Sequence, residues 1–125
     1  MRPASPDIQA RVERLYDANQ RRDFEGFRAL VHPHLEWPDV TRGGLLKTPA
    51  AVRAYWVYND RALRIEMTPV TVEIDDEDRI VVLANVVVWN LAGKLWSDLM
   101  ARHRYTLRDD LFWRMEVLDV ERPRR

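Results

Sequence analysis

Two side chains that can transfer or share a proton stand out in this sequence, Asp39 and His103. Asp39 follows Trp37 and Pro38, and a carboxylate beside apolar rings suits a general base because desolvation favours its uptake of a proton. The same side chain could instead cap its own loop or lie in solvent. Asp39 is therefore a candidate catalytic residue with a structural alternative.

His103 lies in a stretch in which apolar and polar residues alternate. Leu99, Ala101, Tyr105 and Leu107 share its phase, so the imidazole is predicted to face inward from a strand. An inward imidazole could donate a hydrogen bond to an oxyanion or exchange a proton near neutral pH. The alternative is a core histidine that one neighbouring hydrogen bond satisfies.

Further residues could line a small-molecule site. Ligand sites usually combine apolar rings with a few polar groups, and this chain has five Trp, four Tyr and three Phe. A buried amide needs partners, so the amide that interrupts the apolar run 80–89 contacts either a ligand or a backbone group. The candidate ligand-binding residues are Tyr16, Trp37, Trp56, Asn85, Tyr105 and Trp113.

Composition excludes several classes of protein. The chain has no cysteine, so disulfides, thiolate nucleophiles and cysteine-based metal sites are excluded. The net charge of zero and the absence of a basic face argue against nucleic-acid binding. No apolar run approaches the roughly 20 residues of a membrane helix, and no signal peptide is recognisable. We expect a cytoplasmic protein without metal, cofactor or membrane contact.

The first half of the chain predicts three helices. Ser5-Pro6 and Thr48-Pro49 each place a capping hydroxyl before a proline at the first helical position. Asp23 can cap a short second helix, which must end before Pro33. The first helix is predicted to run to about Arg22.

The second half, residues 67–119, predicts four consecutive strands with turns at 75–78, 92–94 and 108–110. The segment 79–89 is apolar on both of its faces, which predicts burial on both sides. Helices can cover one face, and a second subunit is expected on the other. The sequence therefore indicates one α+β domain over residues 1–125, with an ordered core of about 6–119.

The order of these elements and several local motifs resemble the nuclear transport factor 2-like superfamily, and more narrowly the SnoaL-like proteins related to polyketide cyclases and ketosteroid isomerases. The segments that carry the resemblance are 23–26 (DFEG), 32–37 (HPHLEW), 51–56 (AVRAYW), 103–107 (HRYTL) and 113–117 (WRMEV). The resemblance covers roughly residues 8–119.

This resemblance implies a cystatin-like conical barrel, with three N-terminal helices packed on a curved, mostly antiparallel sheet. It also implies a small hydrophobic ligand, no cofactor and a homodimer formed through the sheet face. By ungapped counting, Asp39 falls at the general base of the ketosteroid isomerases and His103 at their oxyanion-site acid. Their oxyanion-site tyrosine corresponds to Leu15, which is a departure, with Tyr16 one residue away.

Three functions agree with these observations. The first is a cofactor-independent acid–base isomerase, cyclase or lyase acting on a small apolar carbonyl or polyketide-like compound through Asp39 and His103. The second is a non-catalytic protein that binds such a compound. The third is a dimerisation module whose interior is filled by its own side chains.

Overall fold

The computed structural model describes residues 1–122 of the chain, which form three helices and a seven-stranded sheet. The elements in chain order are β1 (Arg2–Pro3), α1 (Pro6–Arg21), α2 (Phe24–Leu30), β2 (Val31–Pro38), β3 (Leu45–Leu46), α3 (Pro49–Asp60), β4 (Leu63–Ile74), β5 (Ile80–Asn90), β6 (Leu95–Arg108) and β7 (Leu111–Glu121). The α+β class predicted from the sequence is confirmed.

Each helix starts where its capping residue predicts. The Ser5 hydroxyl accepts a hydrogen bond from the backbone N–H of Ile8, and the Thr48 hydroxyl accepts one from Ala51. The Asp23 carboxylate accepts one from the N–H of Gly26. Among residues 1–122, no helix has the length and apolar character needed to cross a bilayer.

The strand order is β1-β4-β5-β6-β7-β2-β3. Strands β4 to β7 form the expected antiparallel meander, although β4 begins at Leu63 rather than near Met67. β2 pairs with β7 in parallel, and the register shifts between its paired residues Val31 and Glu36. Pro33 lacks a backbone N–H, and it is tolerated because it falls inside this irregular stretch.

The two faces of the sheet differ in chemistry. The core face carries side chains that pack against the helices, among them Ile80, Val82 and Ala84 of β5. The outer face of β6 and β7 carries ion pairs, such as the hydrogen-bonded pair between Arg104 and Glu116 at 3.1 Å. That contact lowers the pKa of the Glu116 carboxyl group.

The outer face of β5 was expected to need a second subunit. Within one chain, however, Val81 is only 5% exposed. Its neighbours across the ladder are Glu73 and Arg104, whose aliphatic stems can cover it. The apolar run of β5 is therefore partly buried without a partner, and the homodimer stays a prediction.

Arg22 joins the C-terminal ends of α1 and α3. Its guanidinium donates to both carboxylate oxygens of Asp60, at 3.0 and 2.8 Å, and to the carbonyl of Asn19 at 3.0 Å. It also lies over the Trp56 ring, 5.4 Å from the centroid. Bidentate contacts of this kind are the stronger class of charged hydrogen bond. The backbone of Arg22 is left-handed, with φ of 55°.

Two substitutions of Arg22 separate the effect of its side-chain contacts from the effect of its left-handed backbone. Arg22→Ala should lower the free energy of unfolding by about 2 kcal/mol, because it removes the contacts and keeps the left-handed backbone. Arg22→Gly should cost about 1 kcal/mol less, since glycine adopts a positive φ without strain. Urea unfolding measures both. The exposed Arg14→Ala is the control, and equal losses in all three variants would contradict the role assigned to Arg22.

Candidate functional site

Three buried polar side chains form a chain of hydrogen bonds through the core. Tyr16 lies on α1, while His103 and Tyr105 lie on the core face of β6. The hydroxyl of Tyr105 is 2.8 Å from that of Tyr16, which is 2.7 Å from Nδ1 of His103. All three residues are buried. The helix and the sheet are thus joined by polar contacts in the middle of an apolar core.

The direction of these hydrogen bonds follows from the number of donors. Each phenol hydroxyl needs an acceptor for its proton, and Tyr105 has only the hydroxyl of Tyr16 as its partner among the described residues. Tyr105 therefore donates to Tyr16, and Tyr16 donates to Nδ1 of His103. A nitrogen that accepts carries no proton, so the proton of the neutral ring is on Nε2. His103 is consequently a hydrogen-bond donor at its other nitrogen.

Burial keeps all three groups uncharged near neutral pH. It lowers the pKa of His103 from 6.5 to about 4, because the charged ring would lose its hydration. Burial also raises the pKa of Tyr16, with a smaller contribution from its neighbour Tyr105, and raises that of Tyr105. Protonating His103 would make Nδ1 a donor, so Tyr16 could no longer donate to it and one of the two phenol protons would lose its acceptor.

The second nitrogen of His103 is available. Within residues 1–122, Nε2 of His103 has no hydrogen-bond partner, yet no buried side-chain nitrogen or oxygen there is unsatisfied. Nε2 therefore reaches accessible space, although the residue is only 4% exposed. His32 provides a comparison in the same protein: its Nε2 lies 3.1 Å from a carboxylate oxygen of Asp109, and its Nδ1 accepts from the N–H of His34.

Aromatic rings continue from this chain toward the helices. Trp37 lies 5.8 Å from Tyr105 and 5.9 Å from Phe27, between ring centroids, and Phe27 lies 5.1 Å from Trp56. The structure therefore brings together five of the predicted residues, namely Tyr16, Trp37, Trp56, His103 and Tyr105. Of these, Trp56 is on the helix side of the cluster, where it packs against Phe27 and Arg22.

Asp39 lies in the loop after β2, where its hydrogen bonds are local. One carboxylate oxygen accepts from the backbone N–H of Arg42 at 2.8 Å, and the other accepts from Nε of Arg42 at 3.1 Å. Its backbone also exchanges hydrogen bonds with Gly43 and Gly44. These contacts are those of the loop-capping alternative. No hydrogen bond within the described residues joins Asp39 to His103, and its catalytic role stays a prediction.

Asn85 lies on the outer face of β5, opposite Met100 in the register. Its amide donates to the carboxylate of Asp98 at 2.9 Å and to the carbonyl of Leu99 at 3.2 Å. It is thus held by the sheet on the face opposite His103.

Trp113 is separated from His103 by an irregularity in β7. Phe112 pairs with Leu107 and Arg114 pairs with Thr106, so Trp113 is an extra residue without a partner. Phe112 takes the core position, while Trp113 donates to the carbonyl of His34 at 3.1 Å. Strict alternation, which the sequence suggested, fails at this bulge.

Two features of the site were not predicted. Tyr16 was predicted as a ligand-binding residue, but its hydrogen bond to His103 was not predicted. Val117 was not selected as a site residue, although it is the residue opposite His103 in the sheet register. Its alternation with Met115 was visible in the sequence, but the pairing with His103 depends on a bulge that sequence alone does not reveal.

Tyr16, His103 and Tyr105 border none of the three clefts described below. Three clefts formed by the described residues have volumes of about 390 to 440 Å³ and lie elsewhere; one of them is bordered by Gln20, Asp60 and Trp89. Likewise, within residues 1–122 no three His, Asp or Glu side chains lie close enough to share a metal ion. The site is therefore defined by the hydrogen-bond chain and its available donor.

The sequence profile of the SnoaL-like domain matches residues 12–115, most of the chain and all of the hydrogen-bond chain. The protein belongs to the SnoaL-like family. This confirms the resemblance inferred from the motifs. No protein with a curated description matches the chain.

Several solved structures have the same fold. TerC, co-crystallised with polyporic acid, is 27% identical, with 91% of each chain covered and a TM-score of 0.76. An NTF2-like protein of unknown function from Burkholderia pseudomallei K96243 is 23% identical, with 92% of this chain and 91% of that chain covered and a TM-score of 0.75. A candidate polyketide cyclase from Xanthomonas campestris pv. campestris is 17% identical, with 87% of each covered and a TM-score of 0.74.

The burial of His103 should make the free energy of unfolding depend on pH. Between its unfolded pKa of 6.5 and its folded pKa of about 4, the unfolded chain binds a proton that the folded chain does not. The unfolding free energy should therefore fall as pH falls through this window, by about 3 kcal/mol in all. Urea unfolding from about pH 7 to about pH 4 measures the slope.

His103→Leu should lose this part of the pH dependence, while the exposed His34→Gln should keep it. An unchanged slope in His103→Leu would show that the ring is solvated and titrates normally.

Proposed function

We propose that this chain is a small-molecule-binding protein of the SnoaL-like type, in which Nε2 of His103 donates a hydrogen bond to a carbonyl, quinone or enolate oxygen of a largely apolar ligand. The observation that carries the proposal is Nε2 of His103, which has no hydrogen-bond partner among residues 1–122 and lies at the end of a buried chain of satisfied polar atoms. His32, in contrast, has a hydrogen-bond partner at both of its ring nitrogens.

A neutral imidazole is well suited to this task. It offers a proton to an oxygen without placing a full charge in the core, and its tautomer is fixed by Tyr16. In an apolar environment such a hydrogen bond is stronger than in water. His103 would therefore act as an electrophile toward the ligand oxygen and not as a base.

The comparisons support a ligand of this class. TerC is 27% identical to this chain and was co-crystallised with polyporic acid, an aromatic hydroxyquinone. The proposal includes a conical barrel whose open end admits the ligand, as the family resemblance implies. Polyporic acid is consequently the first compound to test.

Removal of the donor should weaken binding of polyporic acid. His103→Leu should raise the dissociation constant by roughly 10- to 100-fold, the effect of losing one hydrogen bond to a charged or strongly polar oxygen. His103→Gln, which keeps an amide N–H, should lose less. Isothermal titration calorimetry at neutral pH measures all three proteins.

His34→Gln is the matched control and should bind as the wild type does. If His103→Leu binds polyporic acid with unchanged affinity while remaining folded, His103 does not contact the ligand and the proposal is wrong.

A second candidate function is acid–base catalysis by Asp39 together with His103. It is favoured by the burial of the Asp39 side chain, which is unusual for a loop carboxylate. For Asp39 to act as a base, its carboxylate must release the hydrogen bonds from Arg42 and contact a C–H group of the substrate. The reaction would be proton transfer next to a ketone, with the enolate oxygen held by His103.

Exchange of a ketone α-proton in heavy water tests this candidate directly. With 2-tetralone as the substrate, NMR should show loss of the α-proton signal faster than in buffer, and Asp39→Asn should reduce the acceleration by at least about 100-fold. Asp98→Asn, on the outer face, is the control. If the wild-type protein exchanges the α-proton no faster than buffer does, the catalytic candidate is wrong and only the binding function remains proposed.

A further inference from the structure

The outward face of α3 has the composition of a covered surface, although it is exposed. The exposed positions of this helix and its C-terminal cap follow one helical stripe, and they are Ala50, Arg53, Ala54, Val57, Tyr58 and Arg61. Val57 is 52% exposed and Tyr58 is 43% exposed. The opposite face of the helix buries Val52 and Trp56 in the core. A helix that is apolar on both faces is normally covered on both.

These exposed residues border a groove that has the form of a helix-packing site. The groove has a volume of about 440 Å³. Its side chains form two rows with a spacing of four residues, which are Ala50, Ala54 and Tyr58 in one row and Arg53, Val57 and Arg61 in the other. Rows with this spacing are ridges, and the groove between two such ridges accepts a ridge of another helix.

The charge around this groove has one sign. Residues 40–64 contain basic side chains at positions 42, 47, 53, 61 and 64 and a single acid, Asp60, whereas the whole chain has no net charge. Asp60 is already paired with Arg22. No ion pair among residues 1–122 includes Arg53 or Arg61. Both guanidinium groups can therefore bind carboxylates of a partner.

We propose that the outward face of α3 docks an acidic amphipathic helix of a partner protein. The apolar ridge of that helix enters the groove beside Ala54 and Val57, and its carboxylates pair with Arg53 and Arg61. The two arginines are about 12 Å apart along the helix axis, so a helix lying along the groove meets both with acids seven or eight positions apart. The Arg53 guanidinium lies over the Phe24 ring, 4.8 Å from its centroid, and a stacked guanidinium still presents N–H groups to a carboxylate.

Two other occupants fit this face less well. A twofold contact between two copies of the chain through the groove would bring arginines of one copy against arginines of the other, and like charges repel. A bilayer surface does not fill a groove, whereas a helix ridge does. Since α3 has 12 residues, it is only about 18 Å long, and the contact is smaller than the roughly 800 Å² that each partner buries in a stable interface. Docking should therefore be weak and reversible.

A pair of synthetic helical peptides tests this surface. One peptide carries leucine and alanine on one face, flanked by glutamates seven positions apart, and its twin carries lysine at each glutamate position. NMR titration of the full chain should show that the acidic peptide binds with a dissociation constant of about 100 μM and shifts the amide signals of residues 50–61. The lysine twin should cause no such shifts. About 1 M salt should weaken the acidic peptide severalfold.

Substitutions separate the apolar contact from the charge. Val57→Asn should weaken binding of the acidic peptide about tenfold, as expected when one valine loses its apolar contact. The double variant Arg53→Glu, Arg61→Glu should reject the acidic peptide and bind the lysine twin. Val70→Asn is the matched control, because Val70 is 56% exposed on β4 and lies outside the groove, and it should bind as the wild type does.

Failure of the acidic peptide to bind the wild-type protein, equal binding of the two peptides, or an unchanged affinity in Val57→Asn would overturn the docking surface. Co-sedimentation of the wild-type protein with vesicles of equal parts phosphatidylcholine and phosphatidylglycerol, lost in Val57→Asn, would overturn it in favour of a membrane. A dimer that Val57→Asn dissociates in sedimentation velocity would overturn it in favour of a second copy of the chain.

The docking surface and the proposed ligand site can fail separately. Val57 lies on the outward face of the helix layer, whereas His103 lies on the core face of the sheet. Val57→Asn should therefore bind polyporic acid as the wild type does, and His103→Leu should bind the acidic peptide as the wild type does. Loss of peptide binding in His103→Leu while that variant remains folded would overturn the assignment of the peptide to α3.

Discussion

The hydrogen-bond chain from Tyr105 through Tyr16 to His103 is the constraint on which the rest of this structure depends. Buried polar groups are tolerated only when each proton and each lone pair that needs a partner finds one. Here two phenol protons and one imidazole nitrogen satisfy one another only in a single direction. That requirement acts on the position of α1 together with the surrounding apolar contacts, and it fixes the tautomer of the histidine.

A fixed tautomer divides the chemical roles in the site. The imidazole is neutral and donates from Nε2, so it can stabilise negative charge on an oxygen but cannot also remove a proton. Any proton transfer requires a second group. Asp39 is the buried carboxylate of the adjoining loop, and its two hydrogen bonds from Arg42 hold it in a capping position. The proposed binding function therefore requires no rearrangement of the loop, whereas the proposed catalysis through Asp39 requires one.

The sequence predicted the elements that local chemistry determines. The caps at Ser5, Asp23 and Thr48 placed all three helices, and alternation placed the four antiparallel strands. Prediction from the sequence failed where pairing between residues far apart in the chain determines the structure. The sequence of β2 did not predict its parallel pairing with β7. Pro33 lies in a stretch where the register between these two strands shifts, so β2 lacks a regular alternation of apolar and polar residues. The bulge in β7 leaves Trp113 without a partner in the strand register. The contact between Tyr16 and His103 depends on the rotation of α1 against the sheet, which counting along the sequence does not give.

The charged and uncharged side chains of β6 lie on different faces of the sheet. Arg102 and Arg104 lie on the outer face, while Ala101, His103 and Tyr105 lie on the core face and are buried. Desolvation by burial on that face lowers the pKa of His103. The same desolvation strengthens the hydrogen bond that Nε2 can offer. Under the proposed function, an apolar ligand that excludes water from Nε2 would deepen this desolvation, so its apolar contacts and its hydrogen bond to His103 should not be energetically additive.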